Sequence, residues 1–442
     1  MATRSWLARS WRGTRQEGVI CHKNSITQLA ATVKCPLQPK EVGIYFRIVG
    51  ELVTLLWQGA PGPCPTIAMH LLIIAHRCLC LRGSCGAVAA CLLWDLGLQF
   101  EVEMTLGLAR HQETMNNSFP VIASILASDA LVDEVLPGFG MGEVNECKFY
   151  TGGFNHTYRV KTGDGRTYYL RAYRLGWRTL DDVRYELDVL NHLKRKEFPA
   201  AQPVRYNDGD YFCAVPAPEG ERYLALFTEA PGQEVSYDHE PEEVAYRYGQ
   251  AVARMHNALD DFSSPHRRFH KDIAHFVERP LRNIEPFLAH RPDDWAYVQR
   301  FAATLRQRIL ALPGDGLEKG VLHGDLQGYH AKVDRDGTLT FFDFDCGGYG
   351  YRAYDLAVFL WCCRLEDAVA VRWDPFLRGY RGTRAIAELD VQAVPLFACA
   401  RYLWHVGVHT QNSPDWGIGF LDEGYWDRHL KRLRDAEADY LA

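Results

Sequence analysis

An excess of positive charge is the first thing this 442-residue sequence lacks. Lys and Arg total 49 against 55 Asp and Glu, a formal net charge of −6. A protein held on nucleic acid by bulk charge is basic, so no nucleic-acid partner is expected. Glycine (37) and proline (21) stand at ordinary levels, which excludes collagen-like and low-complexity chains. Long uncharged apolar runs are missing as well. TIAMHLLIIAHRCLCLRG is broken by His70, His76, Arg77 and Arg82. GSCGAVAACLLW is about a dozen residues, short of the ~18–20 of a helical span. No membrane partner is therefore expected. Behind the positive start MATRSWLARSWRGTR there is no apolar core of the secretory kind, although its Arg/Ser content is also that of a transit peptide. The expected location is cytoplasmic. There the 13 cysteines read as reduced thiols, not as a disulfide framework. Cys78 and Cys80 lack the second pair that a zinc finger would need.

What is present is ordinary globular material: 47% hydrophobic and 24% charged residues, enough for a large core and for two or three domains. It is unevenly distributed. Residues 1–114 carry 11 Lys/Arg, 7 Asp/Glu and seven of the 13 cysteines, with no sustained period. They read as an extension that is non-native or poorly folded; the alternative is a regulatory or membrane-surface domain. From Met115 the character changes. Pro120, Val121, Ile125 and Leu126, then Leu131, Val132, Val135 and Leu136, recur at helical spacing, with Pro137 and Gly138 as the stop.

Residues 115–230 are expected to form a β-rich lobe. CKFYTGGFNHTYRVKT reads as two strands around a glycine turn, and Gly163-Asp164-Gly165 turns into a third, TYYLRAYR. TLDDVRYELDVLNHLKRKEF is a helix capped by Thr179, with acids in its first turn and basic residues at its end. Two further strands lie around PVRYNDGDYFCAV and ERYLALFTEA. Pro231-Gly232 breaks the pattern. Residues 231–442 then turn helical, beginning with Val244, Tyr248, Val252 and Met255 on one face. Within them GVLHGD reads as a short strand and AKVDRDGTLTFFDFD as a hairpin about Asp336-Gly337. A β-rich lobe, a hinge and an α-rich lobe make an α+β, two-lobed enzyme with a cleft.

Chemistry concentrates in VLHGDLQGYH (321–330) and FFDFDCGGYG (341–350). Asp325 and Asp343 each follow an apolar strand and are eighteen residues apart, room for a loop, a strand, a turn and a return strand. Two carboxylates facing one cleft suit phosphoryl transfer: one accepts the proton of the attacking hydroxyl, the other holds Mg²⁺ on the phosphates. Taken singly, either would read as a solvated hairpin end.

HGDL, FFDFD and the later AYDLA resemble the aminoglycoside phosphotransferase / type II homoserine kinase family, over about residues 115–430. The resemblance implies a protein-kinase-like fold, ATP and Mg as cofactors, and a small-molecule hydroxyl as acceptor. It implies Asp325 and His323 as catalytic residues, Asp325 being the base, Asp343 as the metal ligand, and Asp355 as the brace of the catalytic loop. Gly152, Gly153 and Asn155 match the loop over the phosphates, where glycine admits close approach of backbone N–H groups. Arg171 stands where the family usually has a phosphate-binding Lys, with Glu186 as its partner; Arg keeps the charge but not the reach. His330 stands where the family usually has an Asn that ligates the second metal, and imidazole suits softer ions than Mg²⁺. Homoserine or a similar amino alcohol is the first acceptor. Aminoglycosides fit less well, since the acidic residues are scattered. The rivals are a stress-response type protein Ser/Thr kinase, for which no activation segment with a phosphosite is visible, and a catalytically weak nucleotide-binding pseudokinase. Trp361, Tyr402, Trp404, His405 and His409 read as core, Arg352 and Tyr349 as substrate contacts or packing, and Asp415 and Trp416 as a loop near the cleft.

Overall fold

The computed structural model describes residues 119–207, 209–313 and 316–441. The expectations for residues 1–114, the Cys78/Cys80 pair included, lie outside the described residues. The β-rich lobe is one antiparallel sheet in the order β1-β2-β3-β5-β4. Its strands are β1 (Val144–Gly152), β2 (His156–Thr162), β3 (Thr167–Ala172), β4 (Cys213–Ala217) and β5 (Gly220–Thr228). Alternation along them sends Tyr158, Val160, Leu170, Leu224 and Leu226 to one face, where they pack with Leu131, Val135, Leu136 and Phe139. Between β3 and β4 runs α1 (Leu180–Arg195). Thr179 caps it reciprocally: its Oγ1 accepts from the Asp182 N–H at 3.2 Å, and the Asp182 carboxylate accepts from the Thr179 N–H at 2.9 Å.

One sequence expectation fails in this lobe. Helical turns begin only at Ser128 and run to Phe139; residues 119–127 are not helical. The backbone groups that a helix would pair internally are taken by distant side chains. The Glu219 carboxylate accepts from Ser124 N–H (3.2 Å) and Oγ (2.7 Å), Arg222 donates to Ser124 O, and Tyr158 OH donates to Leu126 O. The helical stretch ends in a left-handed residue at Gly140 (φ +61°), with Pro137 and Gly138 inside its last turn.

The chain leaves the sheet at Gly232. Its φ is +98°, and a Cβ there would stand 2.1 Å from Val333 O, so only glycine fits. The next strand, β6 (Gln233–Glu234), crosses to the other lobe. That lobe holds α2 (Pro241–Ala258), β7 (His270–Lys271), α3 (Arg279–Leu288), α4 (Pro292–Ala311), β8 (Lys319–Leu322), β9 (Ala331–Val333), β10 (Leu339–Phe341) and β11 (Gly348–Tyr351). It closes with α5 (Ala353–Leu365), α6 (Val369–Thr383), α7 (Glu388–Trp416) and α8 (Glu423–Tyr440). β9 and β10 form the expected hairpin, and β6 adds to its edge; β11 lies between β7 and β8. α5 is apolar nearly all round and sits in the core of this lobe.

Asp415 and Trp416 are not on a loop. They form the last turn of α7, which runs through Pro414. Proline cannot donate to the carbonyl four residues back, Thr410 O. The Ser413 hydroxyl donates to that oxygen instead, at 2.9 Å, and the helix continues. Among the described residues no helix is long and apolar enough to cross a membrane.

Candidate active site

The loop after β8 is built around a buried carboxylate. Asp355, at the start of α5, accepts from His323 N–H at 2.9 Å and Gly324 N–H at 2.8 Å. Its own partner is His256 Nε2 at 3.1 Å, whose Nδ1 meets Tyr380 OH at 2.8 Å. Gly324 has φ +79°, and a Cβ there would come within 2.2 Å of Cys346 O. The motif thus needs glycine for a close crossing of two loops. His323 is fully buried, with Nε2 3.0 Å from Phe342 O and Nδ1 accepting from Asp325 N–H at 3.3 Å. Both ring nitrogens are engaged behind the loop, so His323 holds two loops together and does not face the cleft.

Asp325 is buried at 7% exposure. Its Oδ1 accepts from Gln327 Nε2 at 2.7 Å and from Arg401 Nη2. Burial pushes this carboxyl up, but the fields of Arg401 and His330 with the Gln327 bond outweigh it, and the net shift is downward. Arg401 projects from α7 and lies against Trp361 and Trp404, its guanidinium carbon 4.8 and 4.5 Å from their ring centroids. Sequence reading missed Arg401. The signal was there: it is the only formally charged residue between Asp390 and Asp415.

Asp343 follows β10 with φ +66°, and its side chain is 41% exposed. Arg171 on β3 bridges two acids, donating from Nη2 to Asp343 Oδ1 at 2.8 Å and from Nη1 to Glu186 Oε1 at 2.6 Å. Tyr173 OH donates to the other Glu186 oxygen at 2.9 Å. Glu186 lies in the first half of α1, and burial pushes its carboxyl up against the pull of Arg171. His330 stands between the two aspartates. Its Nδ1 is 2.7 Å from Asp325 O and 3.6 Å from Asp325 Oδ2; its Nε2 is 3.8 Å from Asp343 Oδ2. The ring is clamped to the loop by one nitrogen, and the other faces Asp343.

Asp345, two residues on, is tied to the opposite lobe. It accepts from Trp177 Nε1 at 2.8 Å and Arg178 Nε at 2.9 Å, on the segment between β3 and α1. Above the cleft, Gly152, Gly153 and Asn155 form the β1–β2 turn. Gly153 N–H donates to Asn155 O at 3.1 Å, Trp416 Nε1 donates to Gly153 O at 3.1 Å, and Arg174 N–H donates to Asn155 Oδ1 at 3.3 Å. Arg174 in turn reaches Asp415 and Asn412 of α7. A Cβ on Gly153 would meet nothing within 4 Å, so the turn is open on its outer side. Arg352 is not a substrate contact: it is buried and donates to His256 O at 2.9 Å and Asp260 Oδ1 at 2.6 Å.

The chain is similar to known proteins in sequence and in fold. The sequence model of the phosphotransferase enzyme family matches residues 146–389. An uncharacterized protein of Deinococcus radiodurans is 36% identical over 324 residues, covering 72% of this chain and 93% of that protein. A homoserine kinase of Rhodospirillum rubrum is 28% identical over 279 residues, 61% of this chain and 82% of that one. Among solved structures, an amicoumacin kinase in complex with AMP-PNP, Ca²⁺ and Ami superposes with a TM-score of 0.57 at 19% identity, covering 77% of this chain and 95% of that one. The fold of the described residues is thus protein-kinase-like, with a β-rich and an α-helical lobe.

Proposed function

Since this chain belongs to the phosphotransferase enzyme family, we propose that it moves the γ-phosphoryl group of ATP onto a hydroxyl of a small molecule, with homoserine or a similar amino alcohol the first acceptor to test. The observation that carries the reading is the convergence of Asp325 and Asp343 on the single ring of His330. Asp325 takes the proton of the acceptor hydroxyl as that oxygen attacks phosphorus. Arg401 keeps its carboxylate ionised and aimed; Gln327 fixes the same oxygen. His323 and Asp355 are positioning residues that act through the loop backbone.

Asp343 fits a divalent ion: it is the exposed carboxylate of the pair, and oxygen donors suit Mg²⁺. His330 Nε2 would be a neighbouring nitrogen donor. Such an ion supplies charge neutralisation on the phosphates. Arg171, released from Asp343, would turn to the α/β-phosphates while Glu186 holds its other nitrogen. Gly152, Gly153 and Asn155 would close over the nucleotide with backbone N–H groups.

One observation favours a weaker activity. Arg171 occupies Asp343 Oδ1 at 2.8 Å, so an ion at this carboxylate competes with an ion pair. ATP turnover against a panel of homoserine, amino alcohols and aminoglycosides tests both readings. Phosphorylation of one acceptor is expected. ATP binding with no turnover on any of them would leave a nucleotide-binding regulator.

A further inference from the structure

Beyond Arg401, the same helix carries two histidines one turn apart, His405 and His409, and α8 brings a third, His429. Residues four apart share a helix face. One ring nitrogen from each lies within 4.8 Å of the others. Ring centroids are 4.1 Å apart for His405 and His409, 5.7 Å for His405 and His429, and 6.1 Å for His409 and His429. Only one polar contact to a described side chain serves the trio: His409 Nδ1 lies 2.9 Å from Tyr425 OH. The walls are aromatic, with Trp361 against His405 and with Trp416, Phe420 and Tyr425 around His409.

His429 is buried while His405 and His409 are half-buried, so the ring nitrogens of the trio stay within reach of a ligand. As a ligand set the arrangement is coherent. Neutral imidazole is the form that binds a metal, and an all-nitrogen set selects zinc-class ions over Mg²⁺ or Ca²⁺. If His409 Nδ1–H donates to Tyr425 OH, its Nε2 is left for the ion and the hydroxyl serves as the outer partner that fixes the ring.

We propose that His405, His409 and His429 form a binding site for a divalent transition-metal ion of the zinc class, with the fourth position open to a non-protein ligand. Zinc–nitrogen bonds of ~2.0–2.1 Å in a tetrahedral site put the donors ~3.4 Å apart, so the rings close by about 1 Å around the ion. Arg401, Arg428 and Arg432 supply a positive field here. That field weakens a bare cation and favours an anion, such as hydroxide, phosphate or carboxylate, at the fourth position. None of the three histidines belongs to the phosphoryl-transfer machinery, so the site stands or falls apart from it.

The test is titration of Co²⁺ into metal-free full-length protein without nucleotide. A visible absorption band saturating at one equivalent, and erased by added Zn²⁺, is expected. Tyr425→Phe should weaken binding by ~10–100-fold. Replacing both His405→Ala and His409→Ala should abolish the band with circular dichroism unchanged. Zinc-edge X-ray absorption on the unaltered protein gives a reading that needs no variant: a nitrogen shell at ~2.0–2.1 Å with imidazole scattering. No saturable band, a band that survives the double substitution, or a shell of oxygen alone would each overturn the site.

Discussion

The carboxylate proposed as the base is held by a charge from a helix 76 residues away in sequence. This makes Arg401 the lever on its ionisation. Asp325→Asn should leave ATP binding intact and lower kcat by ~10²–10⁴-fold, because the proton acceptor acts on the hydroxyl and not on the nucleotide. Wild-type turnover in that variant would remove Asp325 from the role. Arg401→Gln has a different signature. In the native site Arg401 and His330 outweigh burial and hold the Asp325 carboxyl low. Without the guanidinium, burial dominates and the carboxyl rises. The acid limb of the kcat profile should then move to higher pH, with turnover recovering as pH is raised. An acid limb that stays in place would mean that Arg401 serves packing between Trp361 and Trp404.

At the scale of elements, the two lobes meet through α1 and the segment before it. Thr179 and Asp182 cap α1 reciprocally, and one turn on Glu186 pairs with Arg171 of β3. Thr179→Ala removes the Oγ1 acceptor. It should cost ~1 kcal/mol of stability, read as a lower urea midpoint at unchanged slope. A change in ATP affinity greater than that loss would show that the cap also sets the Arg171–Glu186 pair. The C-terminal turn of α7 has the corresponding role on the other side. Trp416 and Asp415 reach the glycine turn and Arg174 only because the Ser413 hydroxyl serves the carbonyl that Pro414 leaves free.

For the whole molecule, the described lobes carry their own cores and both parts of the candidate site. A chain beginning at Met115 is therefore expected to fold and to match the full chain in turnover; loss of either would make residues 1–114 a working domain. A second expectation concerns Lys271, which is 1% exposed and surrounded by Tyr354, Trp404, Phe269 and Phe276, with no ion pair to a carboxylate among the described residues. Burial lowers its ammonium from 10.5 to about 8. Between those values the unfolded chain binds the extra proton and the folded one does not. Stability therefore rises with pH through that window, and at neutral pH the buried charge is a cost. Lys271→Met should abolish the rise and stabilise the protein at pH 7 by ~3 kcal/mol at most. Denaturant midpoints at pH 7 and pH 10 decide it; a less stable variant at pH 7 would point to a bound anion on the ammonium.

Local signals were enough for much of this protein. Alternation along TYYLRAYR, the cap at Thr179, the Asp336-Gly337 turn and the apolar run of α5 are each decided within a few residues, and so was the course of the two lobes. The HGD and DFD segments were legible because each follows a strand that periodicity reveals. Position 171 was read as the partner of Glu186, and the two lie 2.6 Å apart. What local reading could not supply were partners far along the chain. Residues 119–127 had a helical period, but Glu219, Arg222 and Tyr158 claim their backbone groups from up to 98 residues away. Pro414 signalled a break, and a serine hydroxyl annulled it. Arg401 reaches Asp325, and His429 reaches His405 and His409, only once α7 and α8 are packed. The reason is physical: propensity and periodicity act between neighbours, whereas a buried charge or imidazole takes its partner from whatever the closed fold brings within about 3 Å.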